Sequence, residues 1–184
     1  MKIEKIHHVA YRCRDARETV DWYGRMLNMD FVLAIAEDKV PSTGAFDPYM
    51  HIFLDAGMGN VLAFFELPNQ PDMGCDPNTP AWVQHIAFRV ADRATLLSFK
   101  DRLCANGVDV LGVTDHGMFH SIYCFDPNGH RVELACPDPE EEAMLARANE
   151  VKWQMLDEWS RTKRAPRHAS FLHAHNGDGH DHGA

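Results

Sequence analysis

Tyr123 and Glu133 lie on either side of Asp126-Pro127-Asn128-Gly129, a spacing that can bring a phenol against a carboxylate. Asp first, Pro second and Gly last suit a type I turn. Closed by a left-handed glycine, such a turn is the three-residue hairpin loop with a bulge. The loop pairs Asp126 with His130, and counting back along the ladder sets Tyr123 opposite Glu133. Residues so paired share a face, with Cβ atoms about 4.5–5.5 Å apart. The plainer alternative is a tyrosine covering a surface glutamate on an ordinary hairpin.

Two histidines join this pair through a repeat. The run 84–92 matches 7–15 at an offset of 77, so His85 answers His8, Ala87 answers Ala10, and Asp92 answers Asp15. A lone strand histidine is more often a core residue than a ligand. Two at matched positions are different, because packing with pseudo-twofold symmetry would make the imidazoles converge. With Glu133 they form two imidazoles and one carboxylate, the facial triad of non-haem Fe(II) oxygen chemistry, with Mn(II), Zn(II) or Ni(II) as alternatives. Glu66 is the rival fourth ligand. Aligning the closing strands on Gly59 and Gly129 puts Ala63 at the place of Glu133. Glu66 lies three residues farther, so strand alternation turns it to the other face. His7 is expected to face away from His8, and His120 outward, by the same alternation.

The elements that must position these groups follow from caps and periodicity. Each half reads as strand, helix and three strands, a duplicated βαβββ module over 4–67 and 82–137, joined by the turn-rich linker 68–81. Asp15 and Asp92 are N-cap candidates, with Tyr23 and Met26 inward on the first helix and Leu96, Phe99 and Leu103 on the second. Asn106-Gly107 is the second helix's stop. Strands are expected at 29–36, 49–54, 59–67, 108–113, 119–125 and 130–136. A helix over 138–163 has glutamates at its positive end and basic residues at its negative end. Met144, Val151, Met155 and Trp159 make its apolar stripe. The segment 164–184, with five of the twelve histidines, is expected to be a disordered tail.

Composition bounds the rest. The 184 residues are 45% hydrophobic, enough for a real core, and the net charge of −9 argues against nucleic acid or an anionic membrane as partner. No apolar run reaches the roughly 20 residues of a spanning helix, and the first residues lack a signal peptide's apolar region. Five cysteines without a Cys-x-x-Cys fit a reducing cytoplasm.

The repeat, the His-hydrophobic-Ala openings, Trp22-Tyr23 with Leu27, and the run from Ser121 to Leu134 resemble the vicinal oxygen chelate superfamily over about residues 4–137. That group includes glyoxalases, epimerases, fosfomycin-resistance transferases, bleomycin-binding proteins and type I extradiol dioxygenases. The resemblance implies an α+β fold in which the modules form a cup-shaped, mostly antiparallel β-barrel around a metal bound by His8, His85 and Glu133. Glyoxalase-like lyases and epimerases place a fourth ligand where this chain has Ala63; extradiol enzymes leave that position apolar and carry a Tyr ten residues before the Glu, as Tyr123 stands to Glu133. The expectation is therefore an Fe(II) extradiol-type dioxygenase acting on a catechol-like aromatic, with Tyr123 and His116 catalytic. The second reading is a glyoxalase-like metal-dependent lyase or isomerase, and the third a small-molecule-binding resistance module. His116 matches the family's loop histidine only with a two-residue slip. A further acid/base histidine on the first closing strand has no counterpart, which leaves His116 or His51 for the proton work. Arg12 and Arg89 either meet an anionic substrate or sit at strand ends in water. A homodimer is implied by the resemblance and by the 138–163 helix.

Overall fold

The computed structural model describes residues 2–167 and 171. The expected disorder of the tail, and His168, His173, His175, His180 and His182 with it, lie outside the described residues.

Both short helices start as their caps dictate. The Asp15 carboxylate accepts from the Glu18 N–H at 2.7 Å at the head of α1 (Ala16–Leu27), and Asp92 accepts from the Thr95 N–H at 2.7 Å ahead of α2 (Arg93–Ala105). Each takes up an amide that the helix leaves unpaired. Asn28 ends α1 in the left-handed region at φ 58°, and Gly107 follows α2 at φ 76° while the Val108 N–H returns to the Leu103 carbonyl. Tyr23, Met26 and Leu27 are buried on α1, as are Leu96 and Leu103 on α2.

The strands are β1 (Val9–Cys13), β2 (Asp30–Lys39), β3 (Phe46–Asp55), β4 (Val61–Glu66), β5 (His85–Arg89), β6 (Leu111–Asp115), β7 (Phe119–Phe125) and β8 (Arg131–Pro137). The helix α3 (Glu141–Thr162) follows. One four-stranded sheet has the order β1-β4-β3-β2 and the other β5-β8-β7-β6, the same order in each repeat. In the first, β1 runs parallel to β4, and β4–β3 and β3–β2 are antiparallel. This is an α+β fold, but the expected closed barrel is not formed among the described residues. The helix between the first two strands carries the chain across, so β1 comes to lie beside β4 and each sheet keeps two open edges.

By contacts the chain divides into two compact units: Met1–Ile86 with Arg102–Asp109 and Cys124–Val132, and Ala87–Asp101 with Val110–Tyr123 and Glu133–Ala184. The first contains the hairpin loop. The Asp126 N–H donates to the His130 carbonyl at 3.0 Å and the Gly129 N–H to the Asp126 carbonyl at 3.0 Å, with Gly129 at φ 87°. That is the loop the sequence predicts. Asp126 is buried, and its carboxylate has four donors. Oδ1 accepts from the Asn128 and His130 amides at 2.9 and 2.8 Å; Oδ2 accepts from Tyr23 Oη at 3.1 Å and Asn128 Nδ2 at 3.0 Å. Asn128 Nδ2 also reaches Thr19 Oγ1, and its Oδ1 accepts from the Arg14 N–H. The loop is thereby fastened to α1. Burial, and behind it the Asp126 charge, hold the Tyr23 phenol well above its ordinary pKa, so it stays a donor.

Two outcomes follow from this packing. Tyr23→Phe keeps the ring and removes one donor to a buried carboxylate, and should cost about 1.5–3 kcal/mol in urea unfolding. Cys75 and Cys104 are exposed and Cys13, Cys124 and Cys136 buried. Two thiols should therefore react quickly with a disulfide reagent at pH 8 and three only on unfolding. Burial raises Cys13 and Cys124 to about 11 from 9.0, so the neutral thiols' contribution to stability is complete below pH 9 and lost as pH rises through 11.

Candidate metal and proton-transfer site

The first unit supplies a face lined by imidazole and aromatic rings. Register places Ala10 beside Ala63 and Ala63 beside Phe53, so the three share one face of the sheet; Arg12, Phe65 and His51 share it by alternation. The His8 ring stands over that face, 5.9 Å from Phe53 and 6.0 Å from His51 between centroids. Ala63 is fully buried here and offers no ligand atom. Glu66 is on the opposite face, as alternation requires, and its Oε2 accepts from the Ala16 N–H at 2.7 Å. It serves α1 as a second cap.

His7 departs from expectation. Its Nδ1 lies 2.8 Å from His8 Nδ1, so the two rings are neighbours. Both precede Val9, where β1 begins, and the alternation of a pleated strand does not govern them. With His8 as donor in that pair, its Nε2 carries the lone pair. His85 Nδ1 lies 3.0 Å from the Val83 carbonyl, and the carbonyl, having no proton, fixes Nδ1 as the donor and Nε2 as the lone-pair nitrogen. An imidazole whose other N–H is held by a carbonyl is the usual form of a metal-ligating histidine.

His51 is 9% exposed, stacked on Phe65 with centroids 3.6 Å apart, and its Nε2 is buried without a hydrogen-bond partner. Burial, and behind it the His8 charge, lower its pKa from 6.5, which keeps the ring neutral at pH 7. Arg12 donates to the Gln70 and Pro71 carbonyls, and Arg89 pairs with Glu141 at 3.0 Å. Both are engaged by protein groups.

The second unit brings Tyr123, His116 and Glu133 together. Glu133 is 4% exposed, and its Oε1 takes two hydroxyls, Ser121 Oγ at 2.5 Å and Tyr123 Oη at 3.2 Å. His116 Nε2 lies 2.8 Å from Tyr123 Oη. A phenol has one proton, so when Tyr123 donates to Glu133 the His116 bond requires an Nε2–H donor; if His116 is the acceptor, Tyr123 has turned from Glu133. Ser121 was not singled out in the sequence, although it lies two residues before Tyr123 and hence on the same face. His120, expected outward, is largely covered, with Nε2 3.8 Å from Asp115.

Among the described residues no three His, Cys, Asp or Glu side chains stand as a group able to hold a metal. His8 and His85 belong to the first unit and Glu133 to the second. The donor types nevertheless suit Fe(II), Mn(II) or Zn(II), and the His85 tautomer and the twice-bonded Glu133 are those of ligands held in orientation.

A family model described as Glyoxalase/Bleomycin resistance protein/Dioxygenase superfamily matches residues 5–134. The chain belongs to that superfamily. Within it, a Bacillus subtilis (strain 168) protein named "Putative ring-cleaving dioxygenase MhqA" is 25% identical over 141 residues, 75% of this chain and 42% of the relative. The chain thus spans less than half of that protein's length. Among solved superfamily folds, fosfomycin resistance protein FosX of Listeria monocytogenes is 20% identical with a TM-score of 0.56, covering 76% of this chain and 98% of its own. The trypanothione-dependent glyoxalase I of Leishmania major is 20% identical with a TM-score of 0.58, covering 83% and 98%. These likenesses support the fold. One FosX structure was determined with Mn(II). No helix among the described residues is long and apolar enough to cross a membrane.

Ser121→Ala removes a buried donor from a buried carboxylate and should lower stability by about 1.5–3 kcal/mol. Tyr123→Phe should cost less, since Tyr123 is only half-buried; urea unfolding of the two variants side by side checks the order.

Proposed function

We propose that this protein is a mononuclear metal-dependent enzyme of the extradiol dioxygenase type, acting on a catechol-like aromatic, with Fe(II) shared by His8, His85 and Glu133. The observation carrying the reading is the contact chain from His116 Nε2 through Tyr123 Oη to Glu133 Oε1. It supports reading Tyr123 and His116 as a proton-carrying pair beside the one carboxylate of the proposed ligand set. Ala63 on the His8 face and Glu66 on the other support three protein ligands rather than four. The relative named as a ring-cleaving dioxygenase supports the reaction class.

When bound, the metal would lower the pKa of a substrate hydroxyl and bring both reactants into one coordination shell. The chain's own residues do the rest. Tyr123 Oη, beside Glu133, donates to a substrate oxygen. His116 Nε2, 2.8 Å from Tyr123 Oη, returns a proton to Tyr123 once Tyr123 has given up its own. Ser121 holds the plane of the Glu133 carboxylate. The His51, Phe53 and Phe65 rings offer a planar substrate an aromatic wall. The reading extends to a homodimer working in the cytoplasm on a small molecule, supported by the acidic charge, the free cysteines and the apolar residues left exposed on α3.

The test is anaerobic loading with Fe(II), metal analysis, then catechol and oxygen uptake. One iron per chain, lost in both His8→Ala and Glu133→Ala, with oxygen consumed and a ring-fission chromophore formed, is the expected result. His116→Gln should keep its iron and lose on the order of 100-fold or more in kcat. Stoichiometric metal and bound catechol without oxygen uptake would shift the reading to a glyoxalase-like lyase or isomerase. A chain that binds no metal would overturn the triad.

A further inference from the structure

The repeat gives His8 and His85 equivalent places, but the protein holds their rings in different ways. His85 Nδ1 lies 3.0 Å from the Val83 carbonyl. That acceptor belongs to the backbone and carries no proton, so it sets the His85 tautomer whatever side chains stand nearby. His8 has no carbonyl in that role. Among the described residues its ring has one hydrogen-bond partner, and that partner is a second ring: His7 Nδ1, 2.8 Å from His8 Nδ1. Gln84 stands at the place of His7 in the second half, and its side chain has no hydrogen-bond partner among the described residues.

Two ring nitrogens at that distance must have one proton between them, because facing lone pairs repel. The pair has two forms. In the first, His8 Nδ1–H donates, His7 Nδ1 accepts, and His8 Nε2 keeps its lone pair. In the second His7 donates, and the proton of a neutral His8 sits on Nε2. Only the first leaves His8 Nε2 open to a cation. A neutral imidazole in water favours the Nε2–H tautomer. Without an acceptor at Nδ1, His8 would therefore carry its proton on the nitrogen a metal needs. Packing does not decide the matter, since the His8 ring is exposed and meets Phe53 only edge to face, 5.9 Å between centroids.

We propose that His7 is a positioning residue: its Nδ1 holds the His8 Nδ1–H and keeps His8 Nε2 open for the metal. The inference rests on the metal reading above. It divides the two halves of the repeat by what holds each imidazole, a side chain at His8 and the backbone at His85. Substitution can remove the first holder and cannot remove the second.

Fe(II) affinity of the full chain, measured anaerobically by competition with a chelator, tests the role. His7→Leu should weaken Fe(II) binding about 10–100-fold, the usual loss when the outer partner of a ligating histidine is removed. Gln84→Leu should leave it unchanged, because the Val83 carbonyl still holds His85. Asparagine sets its amide oxygen where histidine has Nδ1, and glutamine sets its own where histidine has Nε2. His7→Asn should therefore recover most of the affinity, and His7→Gln should not. Nitrogen NMR of the metal-free chain reads the tautomer itself. The His8 proton should sit on Nδ1 in the wild type and move towards Nε2 in His7→Leu, with the folded amide spectrum retained. Equal losses at His7 and Gln84 would overturn the proposal. So would rescue by glutamine as complete as by asparagine, or a wild-type His8 proton on Nε2. Fe(II) bound equally by the wild type and His7→Leu would overturn this role alone, whereas a wild-type chain that binds no metal would overturn the metal reading and the role with it.

Discussion

The buried Asp126 carboxylate is the interaction on which the rest depends. One oxygen holds the amides of its own turn; the other holds Tyr23 of α1 and Asn128. A buried charge is tolerable only when its lone pairs are met, and these four donors meet them. The same group therefore fixes two things at once. It closes the three-residue loop whose count brings Tyr123 to Glu133, and it ties that loop to the first helix.

The same economy appears in β4. Within four residues it presents Ala63 to the His8 face and sends Glu66 back to the first amide of α1. The carboxylate that strand alternation turns away from the ligand set holds a helix instead. The Glu133 carboxylate has a different setting, with two side-chain hydroxyls on one oxygen, and it is the one left beside a tyrosine and a histidine.

What was legible in the sequence was what local chemistry decides. Aspartate caps, the Gly107 stop, the Asp126–His130 loop and the alternation that turned Glu66 away all depend on near neighbours along the chain. What was missed depends on where a rule stops applying or on partners far away. His7 was assigned by strand alternation two residues before β1 begins. Ser121 had the right parity but no charge to draw notice, and only its distance to Glu133 reveals its part. The repeat made the two halves equivalent, yet a repeat says nothing of which strand edges meet, and the described residues keep two open sheets where a barrel was expected.

The three-residue step between Ala63 and Glu66 has an evolutionary consequence. Deleting one residue between them would bring Glu66 onto the His8 face, because a shift of one reverses the facing of a strand. The same deletion would take from α1 the carboxylate that holds its first amide. Along that path, gaining an acidic group beside His8 and loosening the first helix are a single heritable event. A lineage that recruits a carboxylate there without the penalty must do so by substitution at position 63, where no helix depends on the side chain.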